Sequence, residues 1–572
     1  MIVVKLKGGL GNQMFQYALG RRLSLERNDS LKLDSSWLQR QEKRKLELDQ
    51  FNIAADLTLP KYYYNFPPFS QNPTIKFLYD KYEEILPLYL RISLKEARVG
   101  EFDHRVIKAK RLKYLEGYWQ SEKYFETIKD QIRADFTLKH PLSSQDQALS
   151  EEMSANPNAV SVHIRREDYV SDFRIIKTQL VCTPDYYTET MNFMKDKLGK
   201  GVVYYVFSDD PEWCRTEMEY PSDFRIVSDL KRSASHELIM MSCCRNAIMA
   251  NSSFSWWGAW LGKGPKETII YPKKWFTSLI TPDIPLKSWL AWQHKTENDW
   301  KYIDIPYVKS RFRAKYKREL NLDDPQRFTE KIQWLKIYDR KPIYTVLADK
   351  YAVRDYVAEK IGSRYLTELY GVYDKSSEID WKKLPNRFVL KTNHGSKWII
   401  RCKNKFLLNK KKACRQLDYW MTRNFYYHGR EWQYNNIPPK IICEEYLAGD
   451  KKLGLLDYKI WCFHGKPKCV EVFSGRFTSL KRSLFDLEWN KLEVRIGYPL
   501  IDIEIPQPTH LAEMIEISKK LSEGFPYARV DLYNFDTKVV FGEMTFTPGG
   551  GYQNIQPPDF DFLWGKEIIL PR

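Results

Sequence analysis

Two adjacent arginines give the first chemical signal in this chain. The segment VSVHIRREDY, residues 160–169, alternates as a strand through Ser161 to Ile164 and then delivers Arg165, Arg166 and Asp168 at its end. Two guanidiniums at one point can grip a diphosphate through forked hydrogen bonds and stabilise charge on a departing nucleotide. A solvated charged turn would use the same residues without chemistry, so their context decides. That context includes Gly8, Gly9 and Gly11 near the start, in GGLGNQ, where absent Cβ atoms let backbone N–H groups approach a ligand at a helix N-terminus. The spacing is neither the GxGxxG of a dinucleotide site nor a P-loop, and a tight structural turn fits it equally. FSDD places Ser208, Asp209 and Asp210 after an apolar run, and NSSFSWWGAWL places Asn251, Ser252 and Ser253 before an aromatic helix. Such residues cap a helix and can also donate to phosphate oxygens. Trp256, Trp257 and Trp260 read as core.

A different chemistry is spelled out in the second half. RFVLKTNHGS puts Lys391 at a strand end before a small turn with Gly395 and Ser396, where a lysine can bind phosphates that the turn covers. IICEEYL, residues 441–447, has the strand-then-linker character of an adenine-binding hinge and carries Glu444, Glu445 and Leu447, while DYKIWCFHGKP supplies Lys459. Asp531 in RVDLY and Glu543 in FGEMTFTPGGG each sit on a strand with apolar neighbours; two such carboxylates facing one another can bind magnesium that bridges ATP phosphates. The competing reading is a strand-end lysine and edge carboxylates open to water.

The elements that must position these residues follow from hydrophobic period. IVVKL, the glycine segment and an apolar-periodic run from Met14 to about Leu25 read as strand, loop and helix. Further strands at Ala159 to Ile164, Val202 to Phe207 and Ala247 to Ala250 alternate with helices, which predicts parallel sheets with sites at the strand C-terminal ends. From Gln293 to Arg318 the text turns charged and aromatic without a clear period, which reads as a connection between domains. A helical region over Thr329 to Lys360 then precedes strands at Arg387 to Asn393, Lys440 to Tyr446, Asp457 to His464 and Val539 to Thr545, an α+β order.

Bulk properties narrow the class. At 572 residues two domains are expected, with 43% hydrophobic residues enough to build cores throughout. A net charge of +18 favours an anionic partner, and 18 Trp and 37 Tyr can stack on sugars as well as on bases. No zinc-finger, RRM, KH or basic-zipper pattern supports nucleic acid. Nine cysteines without CxxC spacing suggest reduced thiols, and no run approaches the roughly 18–20 apolar residues of a membrane span, so a cytoplasmic enzyme is expected, able to rest on the inner membrane face.

Taken together, GGLGNQMFQYA at 8–18, HIRREDY at 163–169, FSDD at 207–210, MSCCRNAIMANSSFSWWGAWL at 241–261 and YPKKWF at 271–276 resemble glycosyltransferase family 11, the α-1,2-fucosyltransferases. The resemblance implies a GT-B-like pair of Rossmann-type subdomains over residues 1–295. It implies GDP-fucose as donor, an oligosaccharide or lipid-linked glycan as acceptor, inversion at the anomeric carbon, and no metal or other cofactor for the transfer. It places Gly9, Gly11, His163, Arg165, Arg166, Asp209, Asn251, Ser252, Ser253 and Phe254 around the donor, and points Asn12, on the glycine loop, into the cleft. Asp168, Asp209 and Asp210 remain equal candidates for a general base, and leaving-group assistance in a dissociative mechanism, with no base, is the alternative. Glu167 stands where many relatives have glycine.

The second half, 316–572 after a linker at 296–315, resembles the TupA-like ATP-grasp family. NLDDPQRFTEKIQWLKIYDRKPIYTVLADKYAVRDYV at 321–357 and the order Lys391, EEYL, Lys459, Asp531, Glu543 carry this resemblance. It implies an ATP-grasp-like fold, ATP and magnesium, and activation of a carboxylate for ligation to a glycan. Thr545 occupies the place of an asparagine metal ligand in many ATP-grasp enzymes, which leaves a non-catalytic glycan-binding or scaffolding module as the alternative. The expected whole is a bifunctional enzyme of surface-polysaccharide synthesis.

Overall fold

The computed structural model describes residues 1–41, 44–57, 72–108, 113–179, 181–229, 231–262, 268–276, 283–293, 300–449, 454–475 and 480–571. The chain divides into two compact units, the first comprising Met1–Ser171 and Thr178–Tyr302, the second Asp172–Lys177 and Ile303–Arg572.

Unit 1 holds two parallel sheets. The first has the order β2-β1-β4-β3, from β1 (Ile2–Lys5), β2 (Leu31–Asp34), β3 (Ser93–Lys95) and β4 (Tyr114–Glu116). The second has the order β10-β9-β8-β5-β6-β7, from β5 (Ala159–Ile164), β6 (Val203–Ser208), β7 (Asp223–Ile226), β8 (Asn246–Ile248), β9 (Ile269–Pro272) and β10 (Leu290–Trp292). Every residue of β5 is buried, as expected of a strand covered on both faces.

Helix α1 (Leu10–Arg27) is buried on nearly every face for its first three turns. One side packs on the first sheet, where a Cβ at Gly20 would meet Val4 and Leu31 at 2.7 Å. The other side meets α2 (Ser253–Leu261), with Phe15 4.6 Å from Trp256 and 4.9 Å from Trp257. One continuous core therefore includes residues of both sheets' helices, among them Ile2, Phe15, Trp256 and Trp257. The three tryptophans are core, as read from sequence, and each indole N–H is bonded: Trp256 to the Ile284 carbonyl, Trp257 to the Gly11 carbonyl and Trp260 to Glu122.

Helix α1 begins four residues earlier than its apolar period suggested. Gly8 turns the chain with φ of +79° and Gly9 is the N-cap, so Gly11 and Asn12 lie in the first helical turn. Asn12 is thus a helix residue and not a loop residue. Glycine masks a helix start in a sequence because it contributes nothing to the apolar period.

The stretch read as a linker, of which 296–299 lie outside the described residues, is mostly helix: α3 (Trp300–Tyr316). Its apolar side is supplied by Ile303, Tyr307, Val308 and Phe312, a stripe interrupted in the text by Pro306 and by the buried Asp304. The single helical region over 329–360 is three helices, α4 (Phe328–Tyr338), α5 (Ile343–Ala348) and α6 (Val353–Lys360). Pro342 breaks the first from the second. Asp349 turns the chain before the third by accepting from the amides of Tyr351 and Ala352 at 2.8 and 3.2 Å.

Unit 2 is antiparallel. One sheet has the order β11-β14-β12-β13, from β11 (Leu369–Tyr373), β12 (Phe388–Thr392), β13 (Ile399–Cys402) and β14 (Ile441–Glu445). The larger has the order β18-β17-β16-β15-β20-β21, from β15 (Asp457–Phe463), β16 (Lys466–Ser474), β17 (Lys481–Phe485), β18 (Lys491–Leu492), β20 (Tyr527–Asn534) and β21 (Val539–Thr545). A further strand, β19 (Arg495–Ile496), pairs with β22 (Ile555–Gln556). One face of the larger sheet buries Ile460, Val470 and Val530 beneath the helix Leu511–Ser522. All nine cysteines are free thiols. No helix among the described residues is long and apolar enough to cross a membrane.

Candidate functional site

In unit 1 the motif residues gather at the C-terminal end of β5. His163, the penultimate residue of that strand, is buried, and its Nδ1 lies 2.5 Å from the Ser255 hydroxyl on α2. Burial, with Arg165 nearby, pushes its pKa down to about 3, so the imidazole is neutral. A neutral ring beside an arginine adds polarity at the site without adding charge.

Arg165 and Arg166 are held by a ring of aspartates. Arg165 Nη2 donates to Asp168 Oδ1 at 2.7 Å, and its Nη1 lies 2.7 Å from Asp209 Oδ2 in an ion pair not aligned as a hydrogen bond. The Arg166 amide donates to Asp209 Oδ1 at 2.8 Å, its Nε reaches Asp210 Oδ2 at 3.3 Å, and its guanidinium stacks 3.7 Å over the Trp213 ring. Asp210 also caps the helix Pro211–Thr216 through the Trp213 amide. Both guanidiniums are mostly buried yet keep exposed surface, which suits an anion that arrives and leaves.

The glycine turn is built by side chains that sequence reasoning passed over. Gln13 donates to the carbonyls of Gly8 and Lys45 and accepts from the Glu47 amide, while Gln16 accepts from the Lys7 amide and donates to Gly117. Asn12 Oδ1 accepts from Gln120 Nε2 at 2.6 Å. Gly11 is required by close approach: a Cβ there would stand 2.5 Å from the Ser253 carbonyl carbon and 2.6 Å from the Phe254 amide. Ser252 caps α2 by accepting from the Phe254 amide at 3.2 Å. Asn251 is buried and donates to the Trp275 carbonyl at 2.8 Å, so its side chain holds the loop and does not reach outward.

Arg44 joins the two sheets' residues. Its Nη2 bonds Asp168, and its Nη1 lies 3.4 Å from where a Cβ of Gly9 would be. It stands in RQEKRKLEL, a basic run with no motif to mark it. The structure thus brings Gly9, Arg44, Arg165, Arg166, Asp168 and Asp209 to one place. It turns Asn251 inward and gives Ser252 to capping.

In unit 2 the expected nucleotide residues are paired with one another. Lys391 Nζ lies 2.6 Å from Glu444 Oε2, and Arg354 Nη1 3.5 Å from Glu444 Oε1. Glu445 lies 3.9 Å from Lys538, and Leu447 is half-buried just after β14. Lys350, missed in the sequence although it stands in the quoted LADKY text, bonds the Gly395 carbonyl of the turn after β12. Burial lowers its pKa, opposed by Glu543, Asp349 and Glu444. Lys350 and Lys391 therefore sit together beside the small turn.

Lys459, opposite Asp531 in the β15–β20 register, is buried between Asp457, at 3.1 Å, and Asp531. Asp531 and Glu543 are cross-strand partners. Their oxygens, with that of Thr545, have the chemistry of a hard-cation site. Arg529, however, stands among all three: it binds Asp531 at 2.7 and 2.8 Å, lies 3.7 Å from Glu543, and donates to Thr545 Oγ1 at 3.1 Å. Among the described residues no group of three or more His, Cys, Asp or Glu is placed to hold a metal. With the guanidinium in that position these donors do not fit magnesium.

A pair of parallel sheets carrying buried arginines at a strand end, opposite a glycine-started helix, defines the first unit as an α/β group-transfer enzyme. The chain belongs to glycosyltransferase family 11: that family's model matches residues 1–303. Residues 330–569 match the TupA-like ATP-grasp model. The chain is 34% identical over 285 residues to an alpha-1,2-colitosyltransferase of Escherichia coli, covering 48% of this chain and 92% of that protein. It is 32% identical over 308 residues to the O-antigen biosynthesis glycosyltransferase WbnK of Escherichia coli, covering 50% and 98%. A galactoside alpha-(1,2)-fucosyltransferase 1 of Saimiri sciureus is 27% identical over 189 residues, covering 31% and 51%. Among solved structures, the fucosyltransferase NodZ from Bradyrhizobium aligns with 46% of this chain and 92% of its own at 15% identity and a TM-score of 0.29. D-alanine-D-alanine ligase from Helicobacter pylori aligns with 42% and 69% at 16% identity and a TM-score of 0.24.

Proposed function

We propose that unit 1 transfers L-fucose from GDP-fucose to a galactose-type hydroxyl, in α-1,2 linkage, with inversion and without a metal. The carrying observation is the convergence of Arg165 and Arg166 beside a neutral His163 at the end of β5. The arginines receive the diphosphate, and as the glycosidic bond breaks they stabilise the charge gathering on GDP. The α-1,2 linkage is taken from the names of the similar proteins, and colitose is the second donor to test because one of them is a colitosyltransferase. Acceptor-dependent GDP release in EDTA, measured with each donor and a panel of galactose-terminated acceptors, tests this reading. Release that persists in Arg166→Ala would refute it.

For unit 2 we infer an ATP site at Lys350, Lys391 and Arg529, serving ligation of a carboxylate to a glycan in surface-polysaccharide synthesis, with the protein peripheral at the inner membrane face. The position of Arg529 among Asp531, Glu543 and Thr545 favours a second reading, a nucleotide-binding module without turnover. Glu543→Ala separates them: the ligase reading requires loss of ATP turnover with fucose transfer intact. An ATP-turnover rate unchanged by that substitution would leave the second reading.

A further inference from the structure

Glycosyl transfer to a hydroxyl requires that a proton leave the acceptor oxygen. The three aspartates that the sequence offers for this are already engaged. Asp168 binds Arg44 and Arg165, Asp209 binds Arg165 and the Arg166 amide, and Asp210 caps a helix while meeting Arg166. Burial raises the Asp209 carboxyl, but Arg165 and the Arg166 amide oppose that shift and occupy both of its oxygens.

The C-terminal edge of the first sheet holds a carboxylate of another kind. Glu96 directly follows β3 and is half-buried. Its Oε2 accepts from the Tyr118 amide at 2.7 Å and its Oε1 from the Trp119 amide at 3.0 Å. The turn after β4 is shaped around it, since a Cβ on Gly117 would stand 2.5 Å from the Glu96 Cβ. Among the described residues no cation forms an ion pair with it; the charged groups acting on it are Asp103, which opposes its ionisation, and Lys7, which favours it. Burial outweighs the two amides and Lys7 and holds the carboxyl at about 7. The place is also right. The turn that Glu96 holds leads directly into Gln120, which donates to Asn12 in the first turn of α1, beside Gly9 and the Arg44 that bonds Asp168. In parallel α/β sheets the strand C-terminal ends are where ligands are met.

We propose that Glu96 is the general base that accepts the proton of the acceptor hydroxyl. The assignment rests on the glycosyl-transfer reading above. In the step, the hydroxyl oxygen bonds to C1 of the donor sugar, and the bond from C1 to the β-phosphate oxygen breaks with its electron pair passing to GDP. The proton moves to a Glu96 oxygen and is later lost to water.

The experiment uses the full-length chain and an acceptor that the wild type glycosylates. Glu96→Gln should lower kcat for transfer by about 10²–10⁴-fold, while GDP-fucose affinity stays within about threefold. The wild-type kcat/KM should fall with acid below about pH 7, because the base must be ionised, and Glu96→Asp should keep that limb at reduced rate. Transfer by Glu96→Gln within about threefold of wild type overturns the assignment. So does residual activity in the variant that keeps the same acid limb, which is what a purely structural glutamate would give. The wild-type profile decides even if the variant does not fold, since a flat kcat/KM between about pH 6 and 8 also overturns it. A wild type that does not bind GDP-fucose defeats the transfer reading itself, and the assignment with it; binding without an acid limb defeats the assignment alone.

Discussion

The two units collect positive charge for a nucleotide in opposite ways. In unit 1 the arginines directly follow a parallel strand, and although Asp168, Asp209 and Asp210 pair with them, both guanidiniums keep exposed surface. In unit 2 the cations stand on the faces of antiparallel strands, and each has a carboxylate for a neighbour: Lys391 with Glu444, Lys459 with Asp457 and Asp531, Arg529 with Asp531. The pairs at the strand end stay partly open to solvent, whereas Lys459, Arg529 and their carboxylates on the strand face are almost fully buried. Binding should therefore be nearly independent of stability in the first unit and coupled to it in the second.

The sharpest break of this contrast is Lys459→Met, which removes the buried cation between Asp457 and Asp531 and leaves Asp531 with Arg529. Urea unfolding of the full chain should show the transition of unit 2 destabilised by about 3–5 kcal/mol. A shift below 1 kcal/mol would mean that the pairs are not structural. Next in size, Arg165→Ala should reduce GDP release from GDP-fucose by about 10²–10³-fold while ATP binding on the same sample is unchanged.

Protonation offers a gentler probe. His163 has a folded pKa of about 3 against about 6.5 when unfolded. Between those values only the unfolded chain binds the proton, so the stability contributed by this histidine is complete above about pH 6.5 and is lost as pH falls towards 3. Melting temperatures of wild type and His163→Asn, taken from pH 7 to 4, should converge as acid is added; parallel curves would contradict the burial argument. Gly11→Ala should cost about 1–3 kcal/mol, because the added methyl meets main chain that cannot rotate away. Smallest of all, Ser252→Ala should cost about 1 kcal/mol through the lost cap of α2, read from thermal unfolding.

What could be read in the sequence followed the same divide. The parallel half was legible because β5 and β6 are continuous apolar runs ending in charge, and α2 starts at a polar triplet. The start of α1 was not, since its first turn is LGNQ, whose glycine and amides carry no apolar period and whose burial comes from a second packing face. Arg44 and Glu96 were missed for a related reason: each lies in an irregular stretch of chain with no apolar period to mark it. In unit 2 four strands, β12, β14, β15 and β21, were legible within a residue or so, yet the state of Asp531 was not. Arg529 stands two residues before it on the same strand and so on the same face, a spacing that alternation makes visible only once the strand is paired.

The missing Cβ of Gly11 has one more consequence. Because the helix that opens the chain touches the Ser253–Phe254 peptide with its own backbone, the fit between the two halves of unit 1 does not depend on any rotamer. A single methyl group at Gly11 would press main chain against main chain, a clash that no side-chain rotation relieves.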